Sequence, residues 1–272
     1  MNNISEKQAK KAIIDIGKRM YAKNFVAAND GNISIRTGEN EVWATPTGVS
    51  KGYMTEDMMV KMDLSGRVIS KGRYKPTSEI KMHLRVYQEN EDVMAVTHAH
   101  PPVATSFAIA GLQLDRAILS EAVVNLGAVP VAAYATPGTQ EVPDSIAPYC
   151  KSHNAVLLAN HGALTWGKEL FEAYYRLESL EYYATLMMYT GNIIGKANEL
   201  NCSQVSRLME IREKLGINSG GTPKCINGDT ELQGSDSPTT QLANTADDED
   251  KEAVIRAVVE RVTQTILQTY KR

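Results

Sequence analysis

A chain of 272 residues, 43% hydrophobic and 22% charged, has the apolar content for one full core plus an appendage. Its formal net charge of −3 excludes an electrostatic case for nucleic acid or an anionic membrane surface. No run approaches a membrane span, and the polar N-terminus lacks the apolar centre of a signal peptide. The three cysteines, Cys150, Cys202 and Cys225, form no close-spaced pair, which argues for a reducing compartment over a disulfide scaffold. A cytoplasmic protein is expected.

In chain order, Ser5 to Phe25 reads as a helix capped by Ser5, with Ala9, Ile13, Ile16 and Met20 on one face. Asn29-Asp30-Gly31-Asn32 is a turn, Ile33 to Arg36 a strand, and Glu41 to Ala44 a second strand ending at Thr45-Pro46-Thr47-Gly48. Asp57 to Asp63 and Arg67 to Ser70 suggest a hairpin across Leu64-Ser65-Gly66. The two turns share a chemistry. Small residues expose backbone N–H groups, and Asn32 and Thr47 add polar side chains, so each suits either a plain connection or an oxyanion held without a basic cluster.

Lys75-Pro76-Thr77-Ser78-Glu79 opens a helix to about Glu89, with Thr77 or Ser78 as N-cap. Glu79 in its first turn suits either the helix dipole or a general base. His83, one turn on, is expected to pack or hydrogen-bond within the helix layer.

Val93 to Val96 is a buried run leading into Thr97-His98-Ala99-His100-Pro101. Side chains at i and i+2 share one strand face, so His98 and His100 emerge side by side. Alone, the pair fits either two half-exposed histidines or a divalent metal that needs a third ligand. Further along come a helix Pro102 to Ala110, a strand Val129 to Ala133, a helix Val142 to Cys150 and a buried strand Ala155 to Ala159. Asn160-His161-Gly162 follows at once, which makes His161 the natural third ligand; His153 is expected at the surface. Ala163 to Trp166 continues as strand. Two helices close the body, Leu170 to Thr190 with Ala173, Leu177, Leu180, Ala184 and Met187 inward, and Cys202 to Lys214.

Five motifs in this order carry a resemblance: Gly31-Asn32-Ile33-Ser34, Thr45-Pro46-Thr47-Gly48, Pro76-Thr77-Ser78-Glu79, His98-Ala99-His100-Pro101 and Asn160-His161-Gly162. From about residue 5 to 215 the chain resembles the class II aldolase/adducin family, its L-fuculose-1-phosphate aldolase branch above all. The resemblance implies an α/β fold with a central, mainly antiparallel sheet flanked by helices, assembled as a homotetramer. It implies that His98, His100, His161 and Glu79 bind Zn2+ (Mn2+ and Co2+ being alternatives), with Glu79 also the acid/base. It implies that Gly31, Asn32, Thr47, Gly48, Thr77 and Ser78 hold a substrate phosphate. The implied reaction cleaves L-fuculose 1-phosphate or L-rhamnulose 1-phosphate to dihydroxyacetone phosphate and L-lactaldehyde through a zinc-stabilised enediolate. An epimerase, dehydratase or decarboxylase reaction on a sugar phosphate, or a non-catalytic scaffold, is the alternative. The chain departs from the pattern where the family carries proton-donating tyrosines. Ala117-Ile118-Leu119-Ser120-Glu121 and the region of Leu215 have none, and Glu121 is the substitute nearest in sequence.

Beyond this catalytic domain, 1–215, residues 216–250 are rich in Gly, Ser, Thr, Asn and Asp and read as a flexible linker. In 251–272, Val254, Val258, Val262, Ile266 and Tyr270 recur every four residues, as in an amphipathic helix. Such a helix docks on its own enzyme or on a partner. It resembles the encapsulation peptides that bind bacterial microcompartment shell proteins, which would place the enzyme inside such a compartment.

Overall fold

The computed structural model describes residues 4–70 and 72–227. Helix α1, Glu6–Ala22, starts where expected: the Ser5 hydroxyl accepts from the Gln8 N–H, and the Gln8 side chain accepts from the Ser5 N–H. Its inward residues Ala9, Ile13, Ile16 and Met20 are wholly buried. Burying each of the three larger ones is worth roughly 1.5–3 kcal/mol.

Three strands follow, β1 (Asn32–Gly38), β2 (Glu41–Ala44) and β3 (Val60–Met62). The hairpin expected over 57–70 is shorter than its sequence suggests. Glu56–Met58 forms a single 3-10 turn, and the return strand is one bridge, Met62 to Val68. The Asp63 carboxylate holds that turn by accepting the N–H groups of Ser65 and Arg67, each at 3.0 Å.

Helix α2 (Ile80–Glu89) precedes β4 (Ala95–Ala99), and α3 (Pro102–Ala110) follows it. Next come α4 (Ser120–Asn125), β5 (Val131–Ala132), α5 (Glu141–Ile146), β6 (Ala155–Leu158), β7 (Gly162–Gly167), α6 (Leu170–Met188) and α7 (Cys202–Lys214). The seven strands form one sheet in the order β3-β2-β1-β4-β7-β6-β5. Every neighbouring pair is antiparallel except β5–β6.

The strand period sorts the core into two layers. Ile33 and Ile35 point with Ala95 and Ala99 toward α1, α3 and α6. Val42, Val96, Val156 and Leu164 point the other way, onto α2 and α5. A polar strip interrupts this second layer at Asn32, Ser34 and His98, all buried, and there the site forms. Among the described residues no helix is long and apolar enough to cross a membrane.

Three expectations need correction. Helix α4 occupies a stretch to which the sequence assigned no element; it has six residues and no side-chain N-cap, so neither periodicity nor a cap marks it. Cys202 and Cys225 are joined as a disulfide, leaving Cys150 the free, buried thiol among the described residues. The 23-residue separation hides the pairing, because the chain after α7 turns back along the body and brings Ile226 beside Asn201 at the helix start. That return also moves the start of the expected linker. Gly220 and Gly221 donate to the Ser152 carbonyl, and Lys224 donates to that of Asp115, so the body runs at least to residue 227. The rest of the linker and the 251–272 helix lie outside the described residues.

Candidate functional site

Pairing across the sheet sets Asn32 of β1 directly opposite His98 of β4. On the layer above, Glu79, His83 and Tyr87 stand four residues apart along one face of α2 and its N-terminal cap. The Glu79 residue itself occupies the cap position, one step outside the first turn where the sequence put it; Thr77 accepts its backbone N–H at 3.3 Å. The carboxylate is thereby aimed down at the histidines.

His161 arrives from the loop between β6 and β7. Asn160 takes φ +56°, a left-handed conformation that asparagine tolerates, to close that three-residue loop. Gly162 follows because nothing larger fits: a Cβ there would lie 2.6 Å from both the Ala99 carbonyl oxygen and the His100 ring. Gly31 is likewise held at φ +75°, with a Cβ position 3.0 Å from the His98 carbonyl oxygen. The glycines of two motifs therefore serve close packing around the histidine strand.

The metal-ligand geometry follows from which nitrogens are already spoken for. His98 Nδ1 donates to the Ala163 carbonyl at 2.9 Å, so its Nε2 carries a lone pair. His100 Nδ1 faces the Asp30 carboxylate at 3.4 Å, leaving its Nε2 in the same state. These two Nε2 atoms are 3.2 Å apart, and His161 brings its ring nitrogen to within 4.8 Å of both. Lone pairs so close repel unless a cation lies among them. Glu79 Oε1 is 3.0 Å from His161 Nε2 yet buried without any hydrogen bond, a second atom that a cation would satisfy. Three imidazoles and a carboxylate fit a divalent metal with an open position.

Electrostatics keep these groups in ligand form. Burial pushes His98 down to about 3 and also lowers His100, so both rings are neutral at pH 7. Burial opposes the Glu79 charge, but attraction from His98 and His161 and the Asn32 amide outweighs it, holding the carboxyl well below its usual range. His83, also wholly buried, is pushed down to about 4. It belongs to the helix layer as expected, and more than packs there. Its Nδ1 bonds Ser34 Oγ at 2.8 Å, which also meets Tyr87 Oη at 2.7 Å. Its Nε2 bonds Asn32 Oδ1, which turns the Asn32 amide to donate to Glu79 Oε2 at 2.7 Å. One bond of the Asn32 amide, a side chain expected on a phosphate, goes to Glu79, and Asn32 also lines the cavity beside His100 and His161.

A pH prediction follows. The unfolded chain protonates His83 and His98 near 6.5, whereas the fold excludes those protons until about 4 and about 3. The unfolded state binds more protons in that window, so stability is full above about pH 6.5 and falls on acidification, by roughly 1 kcal/mol per pH unit for each histidine. The depressed Glu79 acts in the same direction at lower pH, its stabilisation being lost as the carboxylate is protonated. Denaturant unfolding of chelator-treated protein at pH 7 and pH 4.5 checks this; equal stabilities would contradict it.

His100, His161 and Glu79 open into a cavity of about 220 Å3, with His98 buried behind them. Its walls include Gly31, Asn32, Thr47, Gly48, Thr77 and Ser78, so all three turns singled out in the sequence meet there. Two are stitched together, Thr47 donating to the Lys75 carbonyl and Thr77 to that of Thr45. A residue the sequence did not flag, Lys51, lines the same wall. Burial pushes its ammonium down to about 8 against the pull of Asp30 and Glu79, so the cradle is not built of neutral groups alone. Glu121 is exposed in α4 and does not line the cavity. A larger groove, about 630 Å3, lies by Glu89, Lys168 and Arg176, away from the histidines.

A family model for the class II aldolase and adducin N-terminal domain matches residues 11–188. The chain belongs to the class II aldolase/adducin family. An L-fuculose phosphate aldolase of Methanococcus maripaludis is 34% identical over 180 residues, covering 66% of this chain and 96% of that protein. A 3-oxo-tetronate 4-phosphate decarboxylase of Pectobacterium atrosepticum is 31% identical over 192 residues, covering 69% and 87%. A solved L-fuculose 1-phosphate aldolase superposes with a TM-score of 0.71 at 31% identity, over 78% of this chain and 100% of that one. The seven-stranded mixed sheet of this class II aldolase-family chain is thus shared along the whole length of that neighbour.

Proposed function

We propose that the chain is a zinc-dependent aldolase. It cleaves a deoxyketose 1-phosphate, L-fuculose 1-phosphate or L-rhamnulose 1-phosphate, to dihydroxyacetone phosphate and L-lactaldehyde. The observation that carries this reading is a cluster of three imidazoles and one ionised carboxylate, of which His100, His161 and Glu79 line one cavity together with the three small-residue turns. Relatives bearing the L-fuculose phosphate aldolase name support the substrate class.

His98, His100 and His161 would hold the metal, with Glu79 beside it. When bound, zinc supplies positive charge next to the substrate carbonyl, which favours the carbanion character that develops as the carbon–carbon bond breaks. Gly31, Asn32, Thr47, Gly48, Thr77 and Ser78 hold the phosphate and so fix the ketose end. Cleavage releases the proton of the hydroxyl that becomes the aldehyde oxygen and adds one to the carbon that keeps the bonding electron pair. Glu79 moves the proton at that carbon, taking it up in condensation and, once protonated, returning it in cleavage. The lowered pKa of its carboxyl keeps it ionised and ready as the condensing base at neutral pH. Asn32, fixed by His83, holds it in place.

A second reading is favoured by the decarboxylase relatives. Loss of carbon dioxide from a 3-oxo acid phosphate also leaves an electron pair beside a carbonyl, so the same residues suit it. Product analysis separates the two. Incubation with each ketose 1-phosphate and with 3-oxo-tetronate 4-phosphate should release dihydroxyacetone phosphate from a ketose. Carbon dioxide from the oxo acid, with no triose phosphate from either ketose, would transfer the assignment to the decarboxylase.

A further inference from the structure

Lys51 is the most deeply buried cation in the cavity wall, with 1% of its surface exposed. It begins the 3-10 turn Lys51–Tyr53 that follows the Thr45–Gly48 turn. Helix α1 is shaped to receive it: a Cβ at Gly17 would lie 2.6 Å from the Lys51 carbonyl oxygen, so only glycine lets the two backbones approach. The ammonium donates to the Asn29 carbonyl at 2.8 Å and to the Val49 carbonyl at 2.6 Å. It thus ties the Asn29–Asn32 turn to Val49, the residue that follows the Thr45–Gly48 turn. Among the described residues it forms no ion pair, and its two partners are neutral oxygens.

A buried ammonium with three donors, two of them spent on carbonyls, is undercompensated. It stands beside a cavity whose walls offer turn N–H groups and hydroxyls, with the Asp30 and Glu79 carboxylates also in the lining but outside ion-pair distance of the ammonium. A doubly charged oxyanion is the ligand that completes such a set, since it supplies the missing charge and an acceptor for the third donor.

We propose that Lys51 is the charged anchor of the substrate phosphate. It makes the cavity selective for phosphorylated over unphosphorylated ketoses. The proposal rests on the reading of this cavity as a phosphate cradle, and it is tested without turnover.

Calorimetric titration of the full chain with inorganic phosphate, with and without chelator, compares wild type with Lys51→Met. The chelator arm removes any phosphate held by metal. Phosphate affinity should fall roughly 10- to 100-fold in Lys51→Met in both arms, the range for losing one hydrogen bond to a charged group. Affinities within twofold of each other would overturn the proposal. A wild type that binds no phosphate would overturn the cradle and the role of Lys51 together. A wild type that binds phosphate through Lys51 but cleaves no ketose phosphate would support the anchor and fail the aldolase assignment alone. If Lys51→Met does not fold, a crystal structure of wild type with phosphate decides. Lys51 Nζ should lie within hydrogen-bond distance of a phosphate oxygen, and a phosphate seated on the turns without that contact would overturn the proposal.

Discussion

Replacing Glu79 with glutamine should lower kcat for ketose-phosphate cleavage by about 10²- to 10⁴-fold, the contribution of a positioned acid–base group. Glutamine keeps the shape of the side chain and can still accept from the Asn32 amide, which now meets the carboxylate at 2.7 Å. It cannot carry a proton to or from carbon. The three imidazoles remain and only the carboxylate charge is lost, so at saturating zinc metal content and thermal stability should stay near wild type. Steady-state kinetics beside metal analysis checks this. A variant with kcat within tenfold of wild type would remove Glu79 from the chemistry and leave it as a helix cap.

His161→Ala has the other large effect, and a different signature. His161 sits in a loop and is only partly buried, whereas His98 is wholly enclosed and bonded to the Ala163 carbonyl. Truncating His161 therefore removes a ligand with little harm to the core. Loss of one outer partner weakens metal binding by about 10–100-fold, and loss of a direct ligand should exceed that. Metal bound per chain should fall toward zero at micromolar metal, with activity falling alongside. The melting temperature should lose the increment that metal gives wild type, since a ligand binding only the folded state stabilises it by mass action. An alanine variant that retains full metal would place the third ligand elsewhere.

The sequence made the site legible where chemistry and spacing coincide. His98 and His100 share a strand face by the period of two, and Ile33 and Ile35 separate from Asn32 and Ser34 by the same rule. The bounds of α3 and α7 match their expected residues, because Pro102 begins one and an Asn201 capping box starts the other. What stayed hidden depends on contacts distant in sequence. Nothing local tells that Lys51 is buried between two turns and α1, or that His83 orients Asn32 across 51 residues. The turn at Asn32 resembles an anion cradle, and nothing local tells that its amide also holds Glu79; that follows from the pairing of β1 with β4, below α2. The disulfide and the extended body have one common cause. Residues after α7 fold back to its start, and the polar, glycine-containing composition of 216–227 gives no sign of that return.

The central claim is that His98, His100, His161 and Glu79 form one metal-dependent lyase centre. The most direct measurement is a coupled assay for dihydroxyacetone phosphate with L-fuculose 1-phosphate and L-rhamnulose 1-phosphate, on protein as purified, after chelation, and after zinc is returned. Cleavage of at least one sugar that vanishes on chelation and returns with one zinc per chain is the predicted result. Cleavage that persists in protein shown to hold no metal would contradict the account.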